Sequence, residues 1–116
     1  MKLPWWIPFG SVPGIDPHAL ASALGRRPEP QLLDVRSASE FAHGHIAGAL
    51  NVPITTLRSR LAALGLDASR PVVAICLSAH RSPPAVRLLR QTGFDASELA
   101  GGMLAWRAAG LPETRR

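Results

Sequence analysis

The sequence predicts an α/β domain with a mainly parallel sheet, on three observations. Gln31-Leu-Leu-Asp-Val-Arg36 and Pro71-Val-Val-Ala-Ile75 are apolar runs without alternation, the pattern of strands covered on both faces. Segments with helical spacing lie between such runs, as at Leu57, Leu61 and Leu64. Gly and Pro mark most of the joints. Strands that alternate with helices pair in parallel, because each crossover carries the chain back over the sheet.

The elements follow in order. Residues 1–14, rich in Pro, Gly and aromatics, read as an extended lead-in, and residues 15–116 as the domain. Asp16-Pro17 is a helix start, with Asp as N-cap and Pro at the first helical position, and that helix runs to about Leu24 before Gly25. After the strand at 31–36, Ser37 opens a short helix around Glu40-Phe41. A turn region, Gly44-His45-Ile46 and Gly48-Ala49, leads to a brief strand at Leu50–Val52. The helix through Leu57, Leu61 and Leu64 ends at Gly65. The strand at 71–75 runs straight into Cys76. Ser82-Pro83-Pro84 opens the next helix, with Ser as N-cap and both prolines in the first turn, where a missing amide costs little. Val86, Leu88 and Leu89 supply its inward face and Gly93 stops it. Phe94 to Leu99 is the last strand. Gly101-Gly102 introduces a final helix, which Leu104 and Trp106 are expected to pack onto the sheet.

Composition narrows the function. A chain of 116 residues, 47% apolar, suits one domain with one core. Thirteen basic residues face eight acidic ones, and all the basic ones except Lys2 are Arg. They are scattered, apart from Arg26-Arg27 and Arg115-Arg116, and no nucleic-acid-reading motif accompanies them. The charge is therefore read as attraction for small anions, with no nucleic-acid partner. The single cysteine excludes an internal disulfide and a multi-thiolate metal site, and suits a reducing compartment. No apolar run approaches the roughly 20 residues that span a bilayer. The opening Met1-Lys2-Leu3-Pro4-Trp5-Trp6-Ile7-Pro8-Phe9-Gly10 imitates a signal peptide briefly, but Pro4 and Pro8 interrupt it. The expectation is a cytoplasmic protein, monomeric or weakly dimeric, without stable membrane insertion. Trp5, Trp6, Ile7 and Phe9 read by default as aromatic packing over a core edge.

Cys76 carries the chemistry. Sites in open α/β sheets lie at the carboxyl ends of strands, and Cys76 sits where the clearest strand ends. Leu77, Ser78, Ala79, His80 and Arg81 must curl back so that the helix at Ser82 can begin. A turn that tight aims several backbone amides at its own centre, making an anion-binding nest, and the helix start adds to the field. A thiol there ionises more readily than a free one. Arg81 adds a permanent cation suited to oxyanions. The residues alone leave a second reading equally open, a buried cysteine closing a core strand.

The ordered motifs separate the two readings. Asp34-Val35-Arg36, Glu40-Phe41 and Gly44-His45-Ile46-Ala47-Gly48-Ala49-Leu50-Asn51-Val52-Pro53 resemble the amino-terminal signature of rhodanese-like domains. Cys76 with Arg81 and Ser82, then Gly93-Phe94, Gly101-Gly102 and Trp106, resemble the carboxyl half in the same order. The resemblance covers about residues 16–112. It implies a three-layer α/β/α fold around about five short strands, and a sulfurtransferase that works without cofactor or metal. Cys76 would take the outer sulfur of an anionic donor such as thiosulfate as a persulfide, cradled by the amides of residues 77–81. Cyanide, a thiol or a sulfur-accepting protein would then remove it. The alternative class is a non-catalytic module that senses persulfides or binds a sulfur carrier through the same cysteine. Four residues separate Cys76 from Arg81, one fewer than in the related phosphatases. That makes a phosphatase or arsenate reductase the weakest reading.

Three positions depart from the family pattern. Ala79 stands where glycine is common, and its Cβ calls for a negative φ and a reshaped loop. Leu77 is apolar where a polar or charged residue is frequent. Pro83 and Pro84 remove two amides from the helix start. Asp34 is expected to pair with a backbone amide or with His45, and Arg36 is a candidate to gather anions at the mouth. His45 is expected to fix its turn by hydrogen bonding. His80 would either add charge beside the donor or line the rim.

Overall fold

The computed structural model describes residues 4–6 and 10–116; Met1 to Leu3 and Ile7 to Phe9 of the lead-in lie outside the described residues. Five strands form one parallel sheet: β1 (Gly14–Ile15), β2 (Gln31–Asp34), β3 (Leu50–Asn51), β4 (Val72–Ile75) and β5 (Ala96–Leu99). Their order across the sheet is β1-β5-β4-β2-β3. The helices are α1 (Pro17–Ala23), α2 (Ala38–Ala42), α3 (Ile54–Arg60), α4 (Ser82–Gln91) and α5 (Gly102–Ala108). The expected α/β fold with a parallel sheet is the observed one.

Strand alternation divides the core in two. Leu33, Val72, Ala74, Cys76 and Ala96 face Leu57 of α3 and Ala85, Val86 and Leu89 of α4. Leu32, Val73, Ile75 and Leu99 face Leu20 of α1 and Met103 and Trp106 of α5. Both faces of β4 are therefore covered, which is why its sequence is apolar throughout. Cys76 continues the β4 pattern onto the α4 side.

The connection that leaves β2 turns outward to β3, and the one that leaves β4 turns the other way to β5. The strand order thus reverses between β2 and β4. Open sheets bind ligands at such a crevice, beyond the carboxyl ends of the strands. Asp34 and Cys76 lie there.

Local signals place most elements. Asp16 caps α1, its carboxylate accepting from the His18 and Ala19 amides at 3.0 and 3.3 Å. Ser37 and Glu40 form a reciprocal capping box at the start of α2. Several boundaries differ from the sequence expectation. The helix around Leu57 begins at Ile54, directly after Pro53, and its end tightens into a single 3₁₀ turn, Leu61–Ala63. Phe94 precedes β5 rather than opening it, because the Phe94 amide still bonds the Leu89 carbonyl of α4. Ser82 is not the N-cap of α4. Arg81 holds that position, and Ser82 is the first helical residue, with its hydroxyl turned elsewhere. Leu104 does not pack α5 onto the sheet: it is 52% exposed, and Met103 and Trp106 do the packing. Trp5 and Trp6 pack against the α4-side core, edge to face at 6.3 Å, as the default reading expects.

Candidate functional site

The site grows from the end of β4. Cys76 leaves the strand, residues 77–81 curl, and α4 begins at Ser82. Two amides of α5 fix the base of this loop: Met103 donates to the Cys76 carbonyl at 2.8 Å and Leu104 to the Leu77 carbonyl at 3.0 Å. The approach is so close that a Cβ on Gly102 would run into both carbonyls. That is the physical role of the Gly101-Gly102 pair, whose φ values are +72° and +62°.

Carbonyls at the loop base are thus taken while its amides are not. Among the described residues, no amide from Leu77 to Ser82 donates to a protein acceptor. Amides left without protein partners in a tight turn can serve an anion. Ala79 contradicts the expected negative φ: it takes φ +67°, the left-handed turn that glycine would supply. The loop keeps its curl and absorbs a strain of roughly 1–2 kcal/mol.

Cys76 is 1% exposed and belongs to the α4-side core cluster. Leu77, Ser78 and Ala79 are half-buried above it and His80 is exposed at the rim, its Nδ1 within 2.8 Å of the Ser78 hydroxyl. The Cys76 sulfur lies 3.3 Å from Ser82 Oγ. Ser82 in turn donates to Glu98 Oε1 at 2.7 Å. The sequence reading did not include Glu98. The signal that would have found it is period two along β5: Ala96 faces α4, so Glu98 does too.

Arg81 reaches across the loop to Glu40 of α2, Nη1 to Oε1 at 2.5 Å and Nη2 to Oε2 at 2.8 Å. Hydrogen bonding to Arg81 draws the Glu40 carboxyl from its ordinary 4.5 down to about 2, against the opposing effect of burial. The same bond, with the charge of Glu40 behind it, holds Arg81 above the usual guanidinium range. This cation is therefore charged at every working pH, but a carboxylate already engages it.

Asp34 and Arg36 form a different pair. Asp34 accepts from the Arg36 amide at 3.1 Å and from the guanidinium, Nε at 2.9 Å and Nη2 at 2.8 Å. Arg36 also donates to the Gly44 carbonyl at 2.9 Å. Asp34 does bond a backbone amide, but its side-chain partner is Arg36 and not His45. Arg36 is 1% exposed and holds Asp34, and it lines a small cavity with Glu40 and Leu77. His45 fixes its turn as expected: its ring nitrogens bond the Phe41 carbonyl at 2.7 Å and the Arg116 carbonyl at 2.6 Å, while its backbone bridges Thr114. Among the described residues no group of acidic, His and Cys side chains is arranged to hold a metal. No helix among them is long and apolar enough to cross a membrane.

A parallel sheet in this strand order, with a cysteine in an amide-lined loop at its switch point, defines a class of protein. The chain belongs to the rhodanese-like domain family, whose model matches residues 16–109. It is 35% identical over 99 residues to a sulfurtransferase of Allochromatium vinosum, covering 84% of this chain and 91% of that one. It is 47% identical over 96 residues to an HTH-type transcriptional regulator of Mycobacterium tuberculosis, covering 79% of this chain but only 42% of the regulator. Thiosulfate sulfurtransferase GlpE of Pseudomonas aeruginosa is 35% identical over 79 residues, with 67% of this chain and 70% of that one covered. Among solved structures, a rhodanese-related protein of Thermoplasma volcanium superposes with a TM-score of 0.81 at 28% identity, covering 90% of this chain and 100% of that one.

Proposed function

We propose that the protein is a sulfurtransferase that moves sulfane sulfur from thiosulfate, or a donor like it, to a thiophilic acceptor through a persulfide on Cys76. The observation that supports this reading is that the amides from Leu77 to Ser82, in the loop that follows Cys76, have no protein acceptor among the described residues. A sulfur atom bonded to Sγ would enter that loop, and its negative charge would meet peptide dipoles where a cofactor would otherwise be needed. Only four residues separate Cys76 from Arg81, a cup suited to one sulfur atom and tight for a phosphate.

The reaction has two halves. The Cys76 sulfur attacks the outer sulfur of thiosulfate, a new S–S bond forms, and the bond to the sulfonate group breaks with its electron pair leaving on sulfite. Cyanide, a thiol or a sulfur-accepting protein then takes the outer sulfur and frees Cys76. Covalent relay of this kind predicts ping-pong kinetics. Arg81, one-third exposed, is the cation that steers the donor's oxyanion end, exchanging part of its contact with Glu40 for the ligand.

The match to part of a transcriptional regulator favours one second reading, a module that senses persulfides through Cys76 without turnover. Incubation with thiosulfate, followed by intact mass measurement, separates the two. A sulfurtransferase gains one sulfur atom and loses it rapidly on adding cyanide. A sensing module is loaded once and does not form thiocyanate from thiosulfate and cyanide over repeated turnovers. A protein that gains none from any sulfane donor contradicts both.

A further inference from the structure

The Cys76 thiol is almost closed to water, the residue being 1% exposed, so at neutral pH an acceptor within the protein serves its proton best. Among the described residues its sulfur has one hydrogen-bond partner, Ser82 Oγ, and Ser82 is itself fully buried. A serine hydroxyl has a single proton to donate. Here that proton goes to Glu98 Oε1 at 2.7 Å, so Ser82 accepts from the Cys76 thiol. The chain runs from a sealed thiol to a carboxylate that is only half-buried.

Strand register builds this line. Ala74 pairs with Glu98 across the β4–β5 ladder, and period two places Ala74, Cys76, Ala96 and Glu98 on the face toward α4. Ser82, as the first residue of α4, stands over that face with its side chain released from capping. The other polar side chains of the loop are engaged elsewhere: Arg81 with Glu40, and His80 with Ser78.

We propose that Ser82 and Glu98 form the path by which the proton leaves Cys76 as sulfur is loaded, with Glu98 its acceptor. This rests on the sulfurtransferase reading and adds two roles to it. Ser82 touches the reacting sulfur; Glu98 acts through Ser82 and is a positioning residue and proton store. In the loading step the S–H bond breaks, its proton passes to Ser82 Oγ, and the proton of Ser82 passes to Glu98. The freed electron pair on Cys76 forms the S–S bond to the donor's outer sulfur, and sulfite leaves with the pair of the broken bond. No outside oxidant is needed. After transfer to the acceptor the inner sulfur departs as a thiolate, and Glu98 returns the proton along the same line.

The test is single-turnover loading of the full chain by thiosulfate, followed by intact mass from acid to alkaline pH. Wild type is compared with Glu98→Gln, Ser82→Ala, Ser82→Thr and the Glu98→Gln/Ser82→Ala double variant. Loss of a positioned proton acceptor slows Glu98→Gln and Ser82→Ala about 10²-fold near neutral pH. The double variant is no slower than the slower single one, Ser82→Thr keeps most of the rate, and each deficit shrinks as pH rises and hydroxide takes the proton instead. Glu98→Gln loading at the wild-type rate overturns the relay. So does a deficit of equal size at every pH, which is the mark of a purely structural contact. A wild-type chain that takes sulfur from no sulfane donor sinks the sulfurtransferase reading, and the relay falls with it.

Discussion

Two arginine–carboxylate pairs stand a few residues apart at the carboxyl edge of the sheet, and their surroundings give them opposite uses. Asp34 and Arg36 are sealed, with side chains 0% and 1% exposed, and the Nε and Nη2 donors of the guanidinium are taken by Asp34 and the Gly44 carbonyl. Arg81 and Glu40 are 33% and 31% exposed and face the loop over Cys76. The two meet at α2, since Arg36 also reaches the Glu40 carbonyl at 3.5 Å. A sealed charge cannot change partners without leaving its counterion in a low dielectric. One at the rim can, because water screens the exchange. Burial, not residue type, decides which arginine is locked into the fold and which stays open to solvent.

That contrast can be broken from either side. Asp34→Ala strands the Arg36 charge in the interior and is expected to cost about 3–5 kcal/mol, read as a large fall in the urea midpoint. An effect below about 1 kcal/mol would mean the pair is not the lock its burial implies. Arg81→Leu reverses the pattern. Stability changes by less than about 1 kcal/mol, while KM for thiosulfate rises about tenfold with a smaller change in kcat. Equal loss in both arginine variants would erase the distinction.

Smaller effects sharpen it. Ala79→Gly relaxes the left-handed residue beside Arg81 and should stabilise the domain by about 0.5–1 kcal/mol in thermal unfolding. Glu40→Gln tests the rim pair through pH. The folded Glu40 carboxyl is depressed from 4.5 to about 2, so its contribution is present above 4.5 and is lost as pH falls through about 2. With a third of the pair exposed, the difference between wild type and Glu40→Gln is less than about 1 kcal/mol at neutral pH. It vanishes on approach to pH 2. A gap that persists in acid would assign the effect to packing.

Local signals made much of this legible beforehand. The Asp16-Pro17 start, the helix opened by Ser37 and the apolar run into Cys76 each act over a few residues, and each appears as read. Contacts across the chain were harder to see. Ser82 follows the N-cap pattern, yet its hydroxyl serves Cys76 and Glu98, because Pro83 and Pro84 offer no first-turn amides to cap. Arg36 looked available for anions because sequence does not show that Asp34 and the Gly44 carbonyl take its guanidinium. Ala79 looked incompatible with a positive φ, but a loop anchored at both ends imposes one. β1 carries only two residues and pairs at the sheet edge with β5, too short to announce itself through periodicity.

The central claim concerns where the charge of a transferred sulfur would rest, and one spectrum addresses it directly. Amide proton–nitrogen correlations of the labelled chain, recorded before and after loading with thiosulfate and with mass measured in parallel, report on each peptide group. Persulfide formation should move the resonances of Leu77 to Arg81 strongly downfield and leave those of β2 and α1 in place. A full gain of sulfur with those loop resonances unmoved would contradict the account.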